Sequence, residues 1–341
     1  TSDSRKVEPG GVFVAVDGVK VDGHQFVPMA LEKGAACCLA THVPEGVTGP
    51  VILVDDVRSA MAKIAGACRD RLGIPVVGIT GSSGKTTAKE MIARVLGRKF
   101  RTLKTEKNFN NELGVPLTLF RIGPETEAAV VELGISNFGE MHRLGAMARP
   151  DIAVYTLIGR SHLEALGDRR GVLRAKTELL EHMPENGLVT VNGDDDLLAG
   201  LECRQRKLCF GLGAGCDVRA ENYRCLGAEG SSFTVVSGEH RIDTRVSAYG
   251  RHMVYAALAA AAVVLIPYYV NFTSHSRKKA LIAAGCMAAL CLAALAAVYF
   301  YGGSSGTLHE LSQLLHGHVE DSYGSSRVAI WRECLRLAGE R

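Results

Sequence analysis

Residues Gly78-Ile-Thr-Gly-Ser-Ser-Gly-Lys-Thr-Thr87 decide how this chain is read. The apolar run Ile74-Pro-Val-Val-Gly-Ile-Thr80 leads in as a buried strand, and Ala88 to Leu96 leads out as a helix. Gly78, Gly81 and Gly84 stand in a GxxGxxGK[ST] pattern, because the stricter GxxxxGK[ST] spacing would need glycine where Ile79 stands. Glycines let successive backbone N–H groups turn inward around phosphate oxygens, and the helix N-terminus adds positive potential. Ser82, Ser83 and Thr87 fill out the loop. Lys85 is placed to reach terminal phosphates and Thr86 to offer a hydroxyl to Mg²⁺. Strand, loop and helix together predict a nucleotide phosphate site.

Working outward, strand and helix signals alternate from residue 74 to about 260. Ala128 to Leu133, Ile152 to Ile158 and Leu188 to Val191 read as strands, and Arg169 to Met183 as a helix. Such alternation predicts an α/β fold with a mostly parallel sheet covered by helices. Before it, short apolar runs (Gly11 to Val16, Val51 to Val54) and turn-forming dipeptides predict a small α/β unit. A helical pattern from Arg58 ends at Arg71-Leu-Gly73, which places a boundary near 73 and domains at 1–73 and 74–264. The 341 residues suit about two such domains. With 39 Lys+Arg against 36 Asp+Glu, the charge of +3 argues against a dedicated nucleic-acid binder. The 10 cysteines include no CxxC pair and read as reduced thiols of a cytosolic chain, and nothing in the opening TSDSRK resembles a signal peptide.

Further stretches fall into a recognisable order: Asp3-Ser-Arg-Lys6, Asp22-Gly-His24, Thr105-Glu-Lys-Asn-Phe-Asn-Asn-Glu-Leu-Gly-Val-Pro-Leu-Thr118, Val131-Glu-Leu-Gly134, Ser161-His-Leu-Glu164 and Ala175-Lys-Thr-Glu178. With TGSSGKTT they resemble the Mur ligases, ATP-dependent enzymes that add amino acids to the peptidoglycan precursor. The Asn-x-Asn-Asn-x-x-Gly-Val-Pro run is similar to the MurF branch. That likeness covers about residues 1 to 263. It implies an ADP-forming amide ligase that joins D-alanyl-D-alanine to UDP-N-acetylmuramoyl-tripeptide through an acyl phosphate, using ATP and Mg²⁺.

The resemblance also implies roles. Lys85 would contact the phosphates; Thr86 and Glu132 would hold one Mg²⁺; His162 and a carbamylated Lys176 would sit at a second. Glu132 otherwise reads as a strand-end acid, His162 as a structural histidine and Lys176 as one lysine of a helical surface. Thr105, Asn110 and Asn111 would meet the muramoyl-peptide, although asparagine clusters are commonly loop caps. Ser4, Arg5, Asp22 and His24 would lie near the UDP moiety, and Asn192 near the adenosine. An exposed strand-edge pair and an ordinary NGD turn are the competing explanations.

Three departures from the family pattern stand out. Leu157 replaces an asparagine, Met253 and Ala256 replace asparagines expected near the adenine, and the resemblance ends near Val263, where the family's third domain finds no counterpart. The remaining residues have a different character: Ala280 to Tyr301 is 22 residues without a charge, enough to span a bilayer core of about 30 Å, with Tyr299, Phe300 and Tyr301 as an interfacial belt. One transmembrane helix at 280–301 in a foreign tail, 265–341, would tether cytoplasmic ligase domains to the inner membrane. Ser325-Ser-Arg-Val-Ala-Ile-Trp-Arg-Glu-Cys-Leu335 resembles a loop of O-antigen ligase or polymerase-like proteins, and equally an amphipathic helix. A non-catalytic UDP-precursor-binding remnant on a membrane anchor is the alternative function.

Overall fold

The apolar alternation becomes two sheets. The computed structural model describes residues 1–264 apart from 19, 20, 72 and 249, and these belong to one compact unit, Thr1–Pro267. The expected span at 280–301 and the tail likeness lie outside the described residues. Among the described residues no helix is long and apolar enough to cross a membrane.

The first sheet is parallel, in the order β1 (Val12–Val14), β2 (Cys37–Ala40), β3 (Val51–Leu53). Helix α1 (Val27–Glu32) covers it, burying Phe13, Ala15, Val27, Ala30 and Cys38 in a small core. Helix α2 (Val57–Arg71) then leads to the second sheet.

That sheet has nine strands, starting with β4 (Val76–Thr80), β5 (Thr102–Lys104), β6 (Ala128–Glu132), β7 (Ile152–Tyr155) and β8 (Leu188–Asn192). Four more complete it: β9 (Arg206–Gly211), β10 (Val218–Cys225), β11 (Ser231–Ser237) and β12 (His240–Val246). The spatial order is β12-β11-β10-β9-β8-β7-β4-β6-β5. Every pairing from β5 to β10 is parallel, and β11 and β12 are added antiparallel at one edge. The strands β4 to β8 are joined through α3 (Lys85–Leu96), α4 (Gly114–Leu119), α5 (Glu140–Ala148), and α6 (Leu163–Leu166) with α7 (Arg169–Thr177). Helix α8 (Asp196–Ala199) precedes β9, and residues 251–264 close the described chain as a helix.

Side chains of the central strands alternate between two cores, as a period of two requires. Val76, Ala129 and Val131 face the layer built with α2, α4, α5 and α7, whereas Val77, Ile79 and Val130 face α3 and the helix 251–264. Burial on both faces explains why these strands read as continuous apolar runs.

Three details differ from expectation. The strand from Ile152 stops at Tyr155, because Thr156, Leu157 and Ile158 turn their backbone and hydroxyl groups to the phosphate loop and to Asp195. The helix from Arg169 ends at Thr177 and tightens into a 3-10 turn, Glu178–His182. Strand–helix alternation ends at residue 206, beyond which four strands succeed one another with no α-helix between them. β12 is mostly exposed, so it lacks the apolar run that marks a buried strand.

Helix α2 ties the two sheets together. Arg69, only 9% exposed, donates to the carbonyls of Ala148 (3.1 Å) and Arg149 (3.2 Å) and pairs with Asp151 at 2.8 Å. Asp151 also accepts the N–H of Val76 at 2.8 Å, so this one ion pair fixes the start of β4 against β7. Replacing Arg69 with Ala strands two carbonyls and a carboxylate, and is expected to cost about 2–3 kcal/mol in chemical denaturation.

Candidate active site

Strand β4 lies between β6 and β7, and the chain reaches β6 by way of β5 on one side before crossing to β7 on the other. Such a reversal opens a crevice beyond the carboxyl ends of the strands. The register aligns Ile79 with Glu132 and Thr80 with Tyr155, so Glu132 and Thr156 flank the loop that begins at Gly81.

That loop is pinned from β7. The Ser82 N–H donates to the Leu157 carbonyl at 2.7 Å, and the Thr156 hydroxyl donates to the Ser83 carbonyl at 2.6 Å. Gly81 has φ +149°, and a Cβ there would stand 2.0 Å from Thr156 Oγ1, so both conformation and space exclude a side chain. Gly84, left-handed at φ +80°, starts α3 and aims its first N–H groups at the crevice. Lys85 folds back to donate to the Gly81 carbonyl at 2.8 Å. Burial lowers its pKa, opposed by the Glu132 charge.

Glu132, at the end of β6, is 2% exposed. Its Oε2 accepts from the Thr86 hydroxyl at 3.0 Å, its Oε1 from Asn110 Nδ2 at 2.9 Å, and its N–H donates to the Thr105 hydroxyl at 3.0 Å. Lys89, 1% exposed, places its ammonium 3.7 Å from Glu132 and 3.3 Å from Glu90. Thr105, fully buried, offers no surface to a ligand and acts through Glu132. Asn111 spends its side-chain oxygen capping α4, accepting the N–H groups of Leu113 and Gly114 at 3.2 and 2.9 Å.

A cleft of about 410 Å³ collects Gly81, Lys85, Asn110, Asn111, His162 and Lys176 on one side of the loop. His162 adopts φ +57° and is exposed at the start of α6. Lys176 is 2% exposed, and burial, reinforced by the nearby Lys85 charge, brings its pKa down to about 7. A second cleft, about 270 Å³, opens on the other side beside Ser83, Gly84, Asn192 and Asp194. Asn192 is spent on backbone, donating to the Thr156 carbonyl at 3.0 Å and accepting the Asp194 N–H at 3.1 Å. Leu157 and Ala256 line this cleft, whereas Met253 faces a neighbouring one with Thr87 and Glu90.

The first sheet's candidates line neither cleft. Ser4 is buried, and Arg5 is exposed but held by Asp3 in a two-pronged pair at 2.9 and 3.0 Å, which draws the Asp3 carboxyl down to about 2. His24 is buried, its Nδ1 2.7 Å from Asp22 and its Nε2 accepting the Thr41 N–H at 3.0 Å, so the ring carries its proton on Nδ1.

Sequence reasoning missed four residues. Lys89 lies one turn after Lys85 on the same helix face, a spacing visible in the sequence. Arg58 reaches the larger cleft from α2, and His252 and Tyr255 line the smaller one. The Tyr255 hydroxyl donates to Asp194 at 2.8 Å. These three come from distant segments with no local signal.

A family model described as the Mur ligase middle domain matches residues 79–264, and one described as the Mur ligase family catalytic domain matches residues 1–69. The chain belongs to the Mur ligase family. It is 40% identical over 265 residues to the UDP-N-acetylmuramoyl-tripeptide–D-alanyl-D-alanine ligase of Bacillus subtilis, covering 76% of this chain and 57% of that protein. The Escherichia coli ligase of the same name is 37% identical over 267 residues, covering 77% and 59%. This Mur ligase chain therefore spans less than two thirds of those relatives' length. Among solved structures, MurF from Acinetobacter baumannii matches with TM-score 0.72 at 33% identity, over 78% of this chain and 58% of that one. MurF from Thermotoga maritima in complex with ADP matches with TM-score 0.71 at 30% identity, over 78% and 62%.

Two outcomes test this geometry. Gly81→Ala is expected to abolish ATP binding in calorimetry, because the added methyl displaces Thr156 from the loop. Lys176→Met is expected to raise the melting temperature at pH 6 but much less at pH 10. A lysine whose folded pKa lies below its unfolded one destabilises the fold fully below about pH 7, and that penalty disappears as the pH rises to its ordinary value.

Proposed function

We propose that this chain is an ADP-forming ligase that joins D-alanyl-D-alanine to UDP-N-acetylmuramoyl-tripeptide, with its ATP- and UDP-precursor-binding sites in the described residues. The observation that carries this reading is the convergence of Lys85, His162 and Lys176 on one cleft, with the Thr86–Glu132 pair joined to its wall through Asn110 and a second cleft across the phosphate loop. The names of the relatives supply the substrates.

A carboxylate resists amine attack until it is activated. Its oxygen takes the γ-phosphoryl group of ATP and ADP leaves; the amine then attacks the acyl phosphate carbonyl, and phosphate and a proton leave. The protein's part in such chemistry is positioning and charge neutralisation. Lys85 would exchange the Gly81 carbonyl for the terminal phosphate, while the N–H groups of the loop and of α3 hold the remaining oxygens. The smaller cleft would take the adenosine, with Tyr255, Asp194 and His252 in place of the family asparagines that Leu157 and Ala256 replace.

The donor set fits Mg²⁺. Thr86 and Glu132 present hard oxygens 3.0 Å apart and would be the residues that hold such an ion. When bound, the ion would neutralise charge on the transferring oxygens. Lys176 cannot ligate as an ammonium, but its lowered pKa leaves much of it as free amine near pH 7, the form that adds carbon dioxide; the resulting carbamate would join His162 at a second ion. Placement of these domains in the cytoplasm follows from their need for ATP, and a membrane tether rests on the uncharged run at 280–301 alone.

The test is ADP release by the full chain given UDP-N-acetylmuramoyl-tripeptide, D-alanyl-D-alanine, ATP and Mg²⁺. Ligation is expected, and Lys85→Ala should lower it by about 10³-fold or more. Precursor binding without ADP release would instead establish the non-catalytic alternative. Lys176→Ala should be inactive and partly rescued by short carboxylates, and wild-type activity should fall as pH drops through about 7, where the amine protonates.

A further inference from the structure

Outside both clefts, α5 and the turn Glu178–His182 bring together His142, Glu181 and His182. His142 Nδ1 lies 3.1 Å from Glu181 Oε2 and 3.1 Å from His182 Nε2, and the three atoms all fall within 4.8 Å of one another. The two rings meet edge to face with centroids 4.3 Å apart. With neutral rings, a proton on His142 Nδ1 can be shared with the carboxylate and the second imidazole, so several lone pairs converge on a single hydrogen. A divalent cation in the same place would engage all three atoms.

The spacing suits one. Metal–nitrogen bonds of about 2.0–2.1 Å at tetrahedral angles put neighbouring ligand atoms ~3.3 Å apart, so the two 3.1 Å separations need shifts of only tenths of an ångström. Two imidazoles and one carboxylate favour Zn²⁺, Ni²⁺ or Cu²⁺ over Mg²⁺, and the half-exposed position leaves room for water as the fourth ligand. The backbone beneath is already held: the Glu178 carboxylate accepts the N–H groups of Gly139 (3.0 Å) and His142 (3.1 Å), joining the turn to the start of α5. Arg149, whose charge reaches His182, is itself paired with Asp70 at 2.8 Å.

We propose that His142, Glu181 and His182 form a transition-metal site, with Zn²⁺ as its ion, that clamps α5 to the 178–182 turn. The site would act on the larger cleft from behind. α7 carries Lys176 and runs directly into the turn, and the loop before α5 carries Gly134 and Ser136 along the cleft wall.

The full chain, stripped with chelator and held in excess Mg²⁺ to fill oxygen-ligand sites, is titrated with Zn²⁺ by calorimetry and followed by thermal unfolding. One site of about micromolar affinity is expected, with a rise in melting temperature. Co²⁺ in its place should give visible d–d absorption. His142→Ala and Glu181→Gln should each weaken binding about tenfold or more and remove the rise, whereas Cys209→Ser and His24→Gln leave both unchanged. No Zn²⁺ uptake up to about 100 μM, or uptake undiminished in His142→Ala and Glu181→Gln, overturns the proposal.

Discussion

A carboxylate with almost no exposure to water must be compensated on every side, and Glu132 sets that requirement for the whole site. The compensation comes from three groups, the Thr86 hydroxyl on α3, the Asn110 amide before α4 and the Lys89 ammonium, while the Thr105 hydroxyl accepts the Glu132 backbone N–H. These contacts tie α3 and the stretch between β5 and α4 to the end of β6 at the carboxyl edge of the sheet. The acid therefore organises the cleft before any ligand arrives, and it leaves one hydroxyl and one carboxylate poised as oxygen donors to a cation.

The sheet delivers those partners. Strand β4 is central and buried on both faces, so the phosphate loop emerges at the one point where the chain changes direction across the sheet. Thr156 and Leu157 leave the β7 ladder early and hold the loop from the opposite side to Glu132. Gly81 tolerates the resulting contact because it has no Cβ. Arg69 and Asp151 anchor the start of the same strand, so both ends of β4 are pinned by polar contacts to β7 and its flanks.

Legibility in the sequence depends on how local each constraint is. The phosphate loop is readable because strand, glycines, lysine and helix lie within about twenty residues. Glu132 is readable as the acid ending an apolar run. Thr105, Asn110 and Asn111 are readable as a group but not in their division of labour: one supports Glu132 from below, one faces it from the cleft, and one caps α4. Arg58, His252 and Tyr255 carry no signal at all, since α2 and the helix 251–264 meet the clefts only through packing.

By itself the sequence determined the α/β class, the nucleotide loop and the family, because periodicity and glycine placement act over short distances. Tertiary structure alone decided which candidates share a cleft: Lys176 joins Lys85 across the site, while Ser4, Arg5, Asp22 and His24 line neither cleft. It also decided the state of Lys176, whose ammonium loses water when α7 packs beneath the loop. Desolvation belongs to the assembled fold, and no pattern along the chain records it.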